Sequence, residues 1–170
     1  MGRDKAMLPF GEAPLVDHVA RMVKAASGTA TLVGPRERYG HLGWPLVEDD
    51  PPGDGPLGGI IAALAHSASD RCLIVACDMP WLDRENLQSM VEHVTEAEVL
   101  VARGENGVEP LCAVYRRSSL PVLRAALQEG DRTVRRVIGR LRTEEWPVSD
   151  VRLVFNANTP ADWATVEAGG

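Results

Sequence analysis

The sequence predicts an α/β fold, a mostly parallel sheet covered by helices, and three observations carry that expectation. Short apolar, β-rich runs alternate with amphipathic helical patterns along the chain. One run, Cys72 to Cys77 (CLIVAC), is apolar on both faces, as a strand between two helix layers must be. The length of 170 residues, 45% of them hydrophobic, is enough for one domain with a sizeable core.

Each element follows from local pattern. A first helix is predicted over Pro14 to Ala26, where Leu15, Val16, Val19, Met22, Val23 and Ala26 recur at helical spacing. Pro14 suits its first turn, since the missing N–H would be unpaired there anyway. Thr29 to Val33 reads as a strand closed by Gly34-Pro35, and Pro45 to Glu48 as a second. A Pro/Gly/Asp loop from Asp49 to Pro56 then leads into a helix carrying Leu57, Ile60, Ile61, Leu64 and Ala65 on one face. CLIVAC is the candidate central strand. A helix over Asp83–Val94, strands near Glu98–Ala102 and Leu111–Tyr115, and helices over Ser118–Gln128 and Thr133–Leu141 follow. A strand near Arg152–Phe155 precedes the last helix, which Thr159, Pro160 and Asp162 mark with a box-like cap.

The formal charge of −6 argues against nonspecific nucleic-acid binding, which needs a basic footprint. Cys72, Cys77 and Cys112 lack metal-ligand spacing and read as small buried hydrophobes in a reducing compartment. No signal peptide or membrane-length apolar run is visible, so a cytoplasmic enzyme with no membrane partner is the default. The four histidines form no metal-spaced pair, and no nucleophile motif occurs.

Four features could carry chemistry. Asp78 directly follows CLIVAC and precedes Met79-Pro80, which puts it at the carboxyl end of a strand, where open α/β sheets bind ligands. A carboxylate there suits Mg²⁺ held against phosphate oxygens. Helix capping is better served by Asp83. The loop from Glu48 to Gly59 alternates prolines with glycines; it is either an exposed connection or a shaped loop with helix N–H groups turned to a ligand. Lys5, taken alone, reads as part of a solvated terminus. Asn156 and Asn158 follow an apolar run and offer amide donors and acceptors at the ligand edge, with structural and functional readings evenly matched.

Taken in order, MGRDKAMLPFGEAPLVDHV, VEDDPPGDGPLGGI, LIVACDMPWL, VEPLCAVYRR and NANTPAD resemble the molybdenum cofactor guanylyltransferases. These are nucleotidyltransferases of the glycosyltransferase-A, nucleotide-diphospho-sugar transferase type. The resemblance runs from Met1 to about Trp163 and implies a three-layer Rossmann-like fold in a single domain over residues 1–170. It also implies transfer of GMP from GTP to the phosphate of molybdenum-molybdopterin, with Mg²⁺ as cofactor and pyrophosphate as product.

By position, the resemblance makes Lys5 a phosphate-binding lysine and Asp49 a nucleotide-contacting aspartate. Gly55, Pro56, Leu57, Gly58 and Gly59 become the turn around guanine and ribose. Asp78 becomes the magnesium ligand, with Lys5 and Asp78 the catalytic pair, and Asn156 and Asn158 fall on the pterin side. GTP and molybdopterin are the implied partners, with room for transient contact with cofactor-delivery proteins or acceptor apoenzymes.

The family pattern opens with a strand and a Leu-Ala-Gly-Gly phosphate loop, whereas this chain starts at Met-Gly. The resemblance therefore predicts an upstream extension of one strand and one loop, on the order of 15–20 residues. A cytidylyltransferase of the same cofactor, a sugar-phosphate nucleotidyltransferase, or an inactive nucleotide-binding homologue are the competing readings. The stretch Arg116 to Arg142 holds eight arginines against Glu129 and Asp131; it is either a solvated surface or a source of arginines for the pterin phosphate.

Overall fold

Residues 4–48 and 53–168 are described by a computed structural model. The chain enters through a short 3-10 turn, Lys5–Met7, and a small hairpin of β1 (Pro9–Phe10) and β2 (Ala13–Pro14). Helix α1 (Leu15–Ser27) follows, ending on Gly28 at φ 83°, a left-handed cap that favours glycine. β3 (Leu32–Val33) and β4 (Leu46–Val47) pair in parallel, with α2 (Arg36–Tyr39) between them. Then come α3 (Gly55–His66), β5 (Arg71–Val75), α4 (Arg84–Glu92), β6 (Val99–Gly104) and β7 (Gly107–Arg116). The chain closes with α5 (Leu120–Gln128), α6 (Val134–Ile138), β8 (Thr143–Pro147) and α7 (Pro160–Ala168).

The main sheet has the order β5-β7-β6-β8. β5 and β6 are both antiparallel to β7, and β8 is parallel to β6, so three strands run one way and only β7 opposes them. Side chains alternate across the sheet with period two. Val99, Val101, Ala113 and Tyr115 pack under Leu57, Ile60 and Leu64 of α3 and under Leu123 and Val137 of α5 and α6. On the opposite face Leu100, Ala102, Cys112 and Val114 meet Leu15 and Val19 of α1 and Leu87 and Met90 of α4. These two apolar clusters make the three layers.

Two sequence expectations are corrected. CLIVAC does form a strand, but β5 lies at the rim of the four-stranded sheet and its residues are half-buried. Ala76 N–H donates to Leu111 O (2.7 Å) and Arg117 N–H to Asp70 O (2.7 Å), so Leu73 and Val75 turn their main-chain groups away from β7. Val33 does the same in β3, because Leu32 and Gly34 donate to Pro45 and Val47 of the β4 segment. These outward groups have no main-chain partner among the described residues, and α3 packs against β3, β4, β5 and β7 across the division.

The second correction concerns Arg152–Phe155. The segment is a 3-10 turn over Val151–Val154, because Asp150 caps it by accepting from Arg152 N–H (2.9 Å). The strand of that region is β8 instead. Its Thr-Glu-Glu-Trp-Pro sequence alternates exposed with half-buried residues, as suits the rim of a sheet.

β7 carries an irregularity that matters for the site. Val101 of β6 pairs with Ala113, but the next residue, Ala102, pairs with Glu109. Pro110, Leu111 and Cys112 therefore bulge away from β6, while Cys112 still pairs with Val75 of β5. Pro110 fits because a bulge tolerates a residue without an N–H. The buried Tyr115 hydroxyl donates to Pro110 O at 2.8 Å and holds the bulge. Tyr115→Phe leaves that carbonyl without its donor and is expected to cost about 1–3 kcal/mol, read as a lower denaturant midpoint at unchanged slope.

Candidate active site

The segment Asn156-Ala157-Asn158 joins two of the sequence-predicted residues, Lys5 and Asp78. Ala157 N–H donates to the carbonyl of Asp78 at 2.9 Å, which fixes the segment just beyond the carboxyl end of β5. Asn158 Oδ1 accepts from Lys5 Nζ at 2.9 Å. Asn156 Nδ2 donates to Glu109 Oε2 in the β7 bulge at 3.0 Å. Just upstream, the Phe155 ring lies 4.8 Å from that of Trp81. Downstream, Asp162 Oδ2 accepts from Asn158 N–H (2.9 Å) and Thr159 N–H (2.7 Å), and Thr159 Oγ1 accepts from Asp162 N–H (3.1 Å). The segment is thus pinned by the reciprocal cap of α7.

Lys5 is held by its neighbour. Asp4 accepts from Ala6 N–H (3.1 Å) and from the Tyr39 hydroxyl (2.9 Å), with the Arg38 guanidinium 3.7 Å away. The 3-10 turn that presents Lys5 is therefore tied to α2. Neither Asp4 nor Tyr39 stands out in the sequence, because their importance comes from a contact between distant segments.

The half-buried Asp78 carboxyl sits above its ordinary pKa. Burial is the largest cause, opposed by a backbone hydrogen bond and by the positive charge of Lys5. Its side chain accepts no hydrogen bond from another residue's side chain among the described residues. It does not cap α4: Asp83 does, accepting from Asn86 N–H at 2.8 Å. A carboxylate so placed fits Mg²⁺, which takes one or two protein carboxylates and completes its shell with phosphate oxygens and water. Among the described residues no group of three or more His, Cys, Asp or Glu is placed to hold a metal without such help. The neighbouring Cys77 thiol is pushed up to about 11, by burial first and then by Asp78 and Asp4, so it is no nucleophile at neutral pH.

The Gly55–Gly59 stretch forms the start of α3, preceded by the buried Asp54, whose carboxylate accepts from Arg132 at 2.9 Å. A Cβ on Gly58 would come 2.9 Å from the Asp54 Cβ, so glycine is needed for this close approach. The chain leaves the carboxyl end of β4 into α3 and the carboxyl end of β5 into Asp78, the edges where such folds bind ligands. Asp49 lies outside the described residues.

Six of the eight arginines in the stretch pair with carboxylates, four of them with partners distant in sequence. Arg116 pairs with Asp70, Arg132 with Asp54, Arg135 with Glu109, and Arg142 with Glu98, while Arg136 and Arg140 share Asp131. Arg135 alone pairs with a group that also binds the asparagine segment. Beside it lies a cavity of about 180 Å³, lined by Gly104, Gly107, Val154 and Phe155 among others.

Comparison with known proteins gives a consistent picture. The model of the MobA-like NTP transferase domain matches residues 1–146. A protein of Carboxydothermus hydrogenoformans named "probable molybdenum cofactor guanylyltransferase" is 31% identical, covering 96% of this chain and 86% of its own. A protein of the same name from Synechococcus elongatus is 32% identical over 98% of this chain and 91% of its own. The crystal structure of molybdopterin-guanine dinucleotide biosynthesis protein A from Archaeoglobus fulgidus superposes with a TM-score of 0.83 at 25% identity, covering 98% of this chain and 90% of that one.

Proposed function

The chain belongs to the MobA-like NTP transferase family and is a nucleotidyltransferase; on that premise we propose that it transfers GMP from GTP to the phosphate of molybdenum-molybdopterin. A phosphate oxygen of the pterin attacks the α-phosphorus of GTP. A new P–O bond forms there as the bond to the β-phosphate breaks, and the electron pair leaves with pyrophosphate. The nucleophile is already an anion, so no general base is required.

The observation that carries this reading is the asparagine segment, which binds Asp78 through its main chain and Lys5 through a side chain. One short stretch thereby joins the residues assigned to nucleotide phosphates with those assigned to the acceptor. The Lys5 ammonium stabilises charge as it moves onto the leaving group, and the segment holds the acceptor phosphate in line. Asp78 would hold Mg²⁺, which supplies charge neutralisation on the triphosphate. Asp49 and the Gly55–Gly59 turn complete the nucleotide side in this reading. Both substrates are small molecules of the cytoplasm, where this reading puts the reaction. No helix among the described residues is long and apolar enough to cross a membrane.

The test is a single reaction containing equal GTP and CTP, molybdenum-molybdopterin and Mg²⁺. Guanylylated pterin with pyrophosphate is the expected product. Cytidylylated pterin, or no transfer at all, overturns the proposal.

A further inference from the structure

Asn156 and Asn158 have opposite halves of their amides engaged. Asn156 uses its nitrogen, donating to Glu109 Oε2 at 3.0 Å and to Val154 O at 3.4 Å. Its Oδ1 has no protein partner among the described residues. Asn158 uses its oxygen, which accepts from Lys5 Nζ, and its Nδ2 is left without a protein partner among the described residues. The segment therefore offers an acceptor at Asn156 and a donor at Asn158.

What sets this polarity at Asn156 is Glu109. Its carboxylate is only 17% exposed and accepts from Leu111 N–H at 3.3 Å, with the Arg135 guanidinium 3.9 Å from the oxygen that receives Asn156. The bulge of β7 brings Glu109 to this position. An ionised carboxylate is acceptor-only, so it admits one orientation of the amide and rejects the flipped one.

We propose that Glu109 is a positioning residue of the acceptor site: it locks the Asn156 amide so that Oδ1 stays free of protein partners, and the acceptor is recognised there through an N–H or O–H donor of its own. This rests on the reading that the asparagines face the phosphate-bearing acceptor rather than the nucleotide.

The experiment is a donor–acceptor swap. Asn156→Asp puts two carboxylates face to face and is expected to raise KM for the pterin about tenfold or more, with KM for GTP within about twofold. Adding Glu109→Gln lets the introduced amide donate to one oxygen of the introduced carboxylate while the other oxygen stays free to accept. The double variant is expected to restore the pterin KM to within about threefold. Glu109→Gln alone presents either an oxygen or an N–H to Asn156, so it admits the flipped amide and is expected to raise the pterin KM, though less than Glu109→Ala, which leaves the amide only the longer contact to Val154 O at 3.4 Å. No rescue in the double variant, or an equal rise in both KM values, overturns the proposal. A second readout needs no substrate. The Asn156 side-chain amide protons are expected to exchange slowly in the wild type and fast in Glu109→Ala; unchanged exchange overturns the proposal too. If the wild type fails to guanylylate the pterin, the function is wrong, and the amide exchange still decides whether Glu109 holds Asn156.

Discussion

Asp78→Asn is expected to lower kcat for nucleotidyl transfer about 10³-fold or more while raising the thermal midpoint of the ligand-free chain at pH 7. Both effects have one cause. Burial disfavours the Asp78 carboxylate in the folded chain, raising its pKa above the ordinary value. A carboxyl raised in this way favours the folded state while it is protonated. That contribution is complete below the unfolded pKa of about 4 and is lost as pH rises through the higher folded value. At neutral pH the ligand-free protein thus carries a charge that its fold disfavours, and asparagine of the same shape removes it. The gain in midpoint should shrink in scans at acid pH, where Asp78 is protonated in both states. Calorimetry of both proteins at two pH values, with pyrophosphate release as the activity readout, checks the pair. A variant that melts lower at pH 7, or that keeps its activity, contradicts the assignment.

Lys5→Ala is expected to reduce kcat/KM for GTP by about 10²–10³-fold if the ammonium serves the nucleotide phosphates as proposed. It should leave a second signature. Lys5 holds the Asp78 pKa down against the effect of burial. Its removal lets that pKa climb, so the acid limb of the kcat/KM–pH profile moves to higher pH. A uniform loss of rate with an unmoved acid limb would separate Lys5 from Asp78. Lys5→Arg is not a conservative control, since the guanidinium is planar and larger than the ammonium it replaces.

The sequence pattern revealed the helices well because their apolar spacing and caps are local: Asp83 and Thr159 cap where their neighbours require it. Strands were harder. Apolarity placed CLIVAC at the centre of a sheet, yet strand order depends on pairing between distant segments, and β5 lies at a rim. β8 was hidden by its two glutamates, which a rim strand can expose. The asparagine segment was legible as chemistry, but its hydrogen bonds to Asp78, Lys5 and Glu109 join residues up to 153 positions apart. Glu109 gave one local hint, a charge just before a proline within an apolar run, the mark of a bulge. The arginine stretch looked short of carboxylates because four of its partners, Asp54, Asp70, Glu98 and Glu109, come from elsewhere in the chain.

The outward main-chain groups of Val33, Leu73 and Val75 have a consequence in solution. A strand rim with free donors and acceptors and apolar side chains is a template for another chain. Both rims share one helix cover, since α3 packs against β3, β4 and β5 alike. An extended segment that paired along either rim would therefore come to lie beside α3, with its apolar side chains buried there rather than left in water.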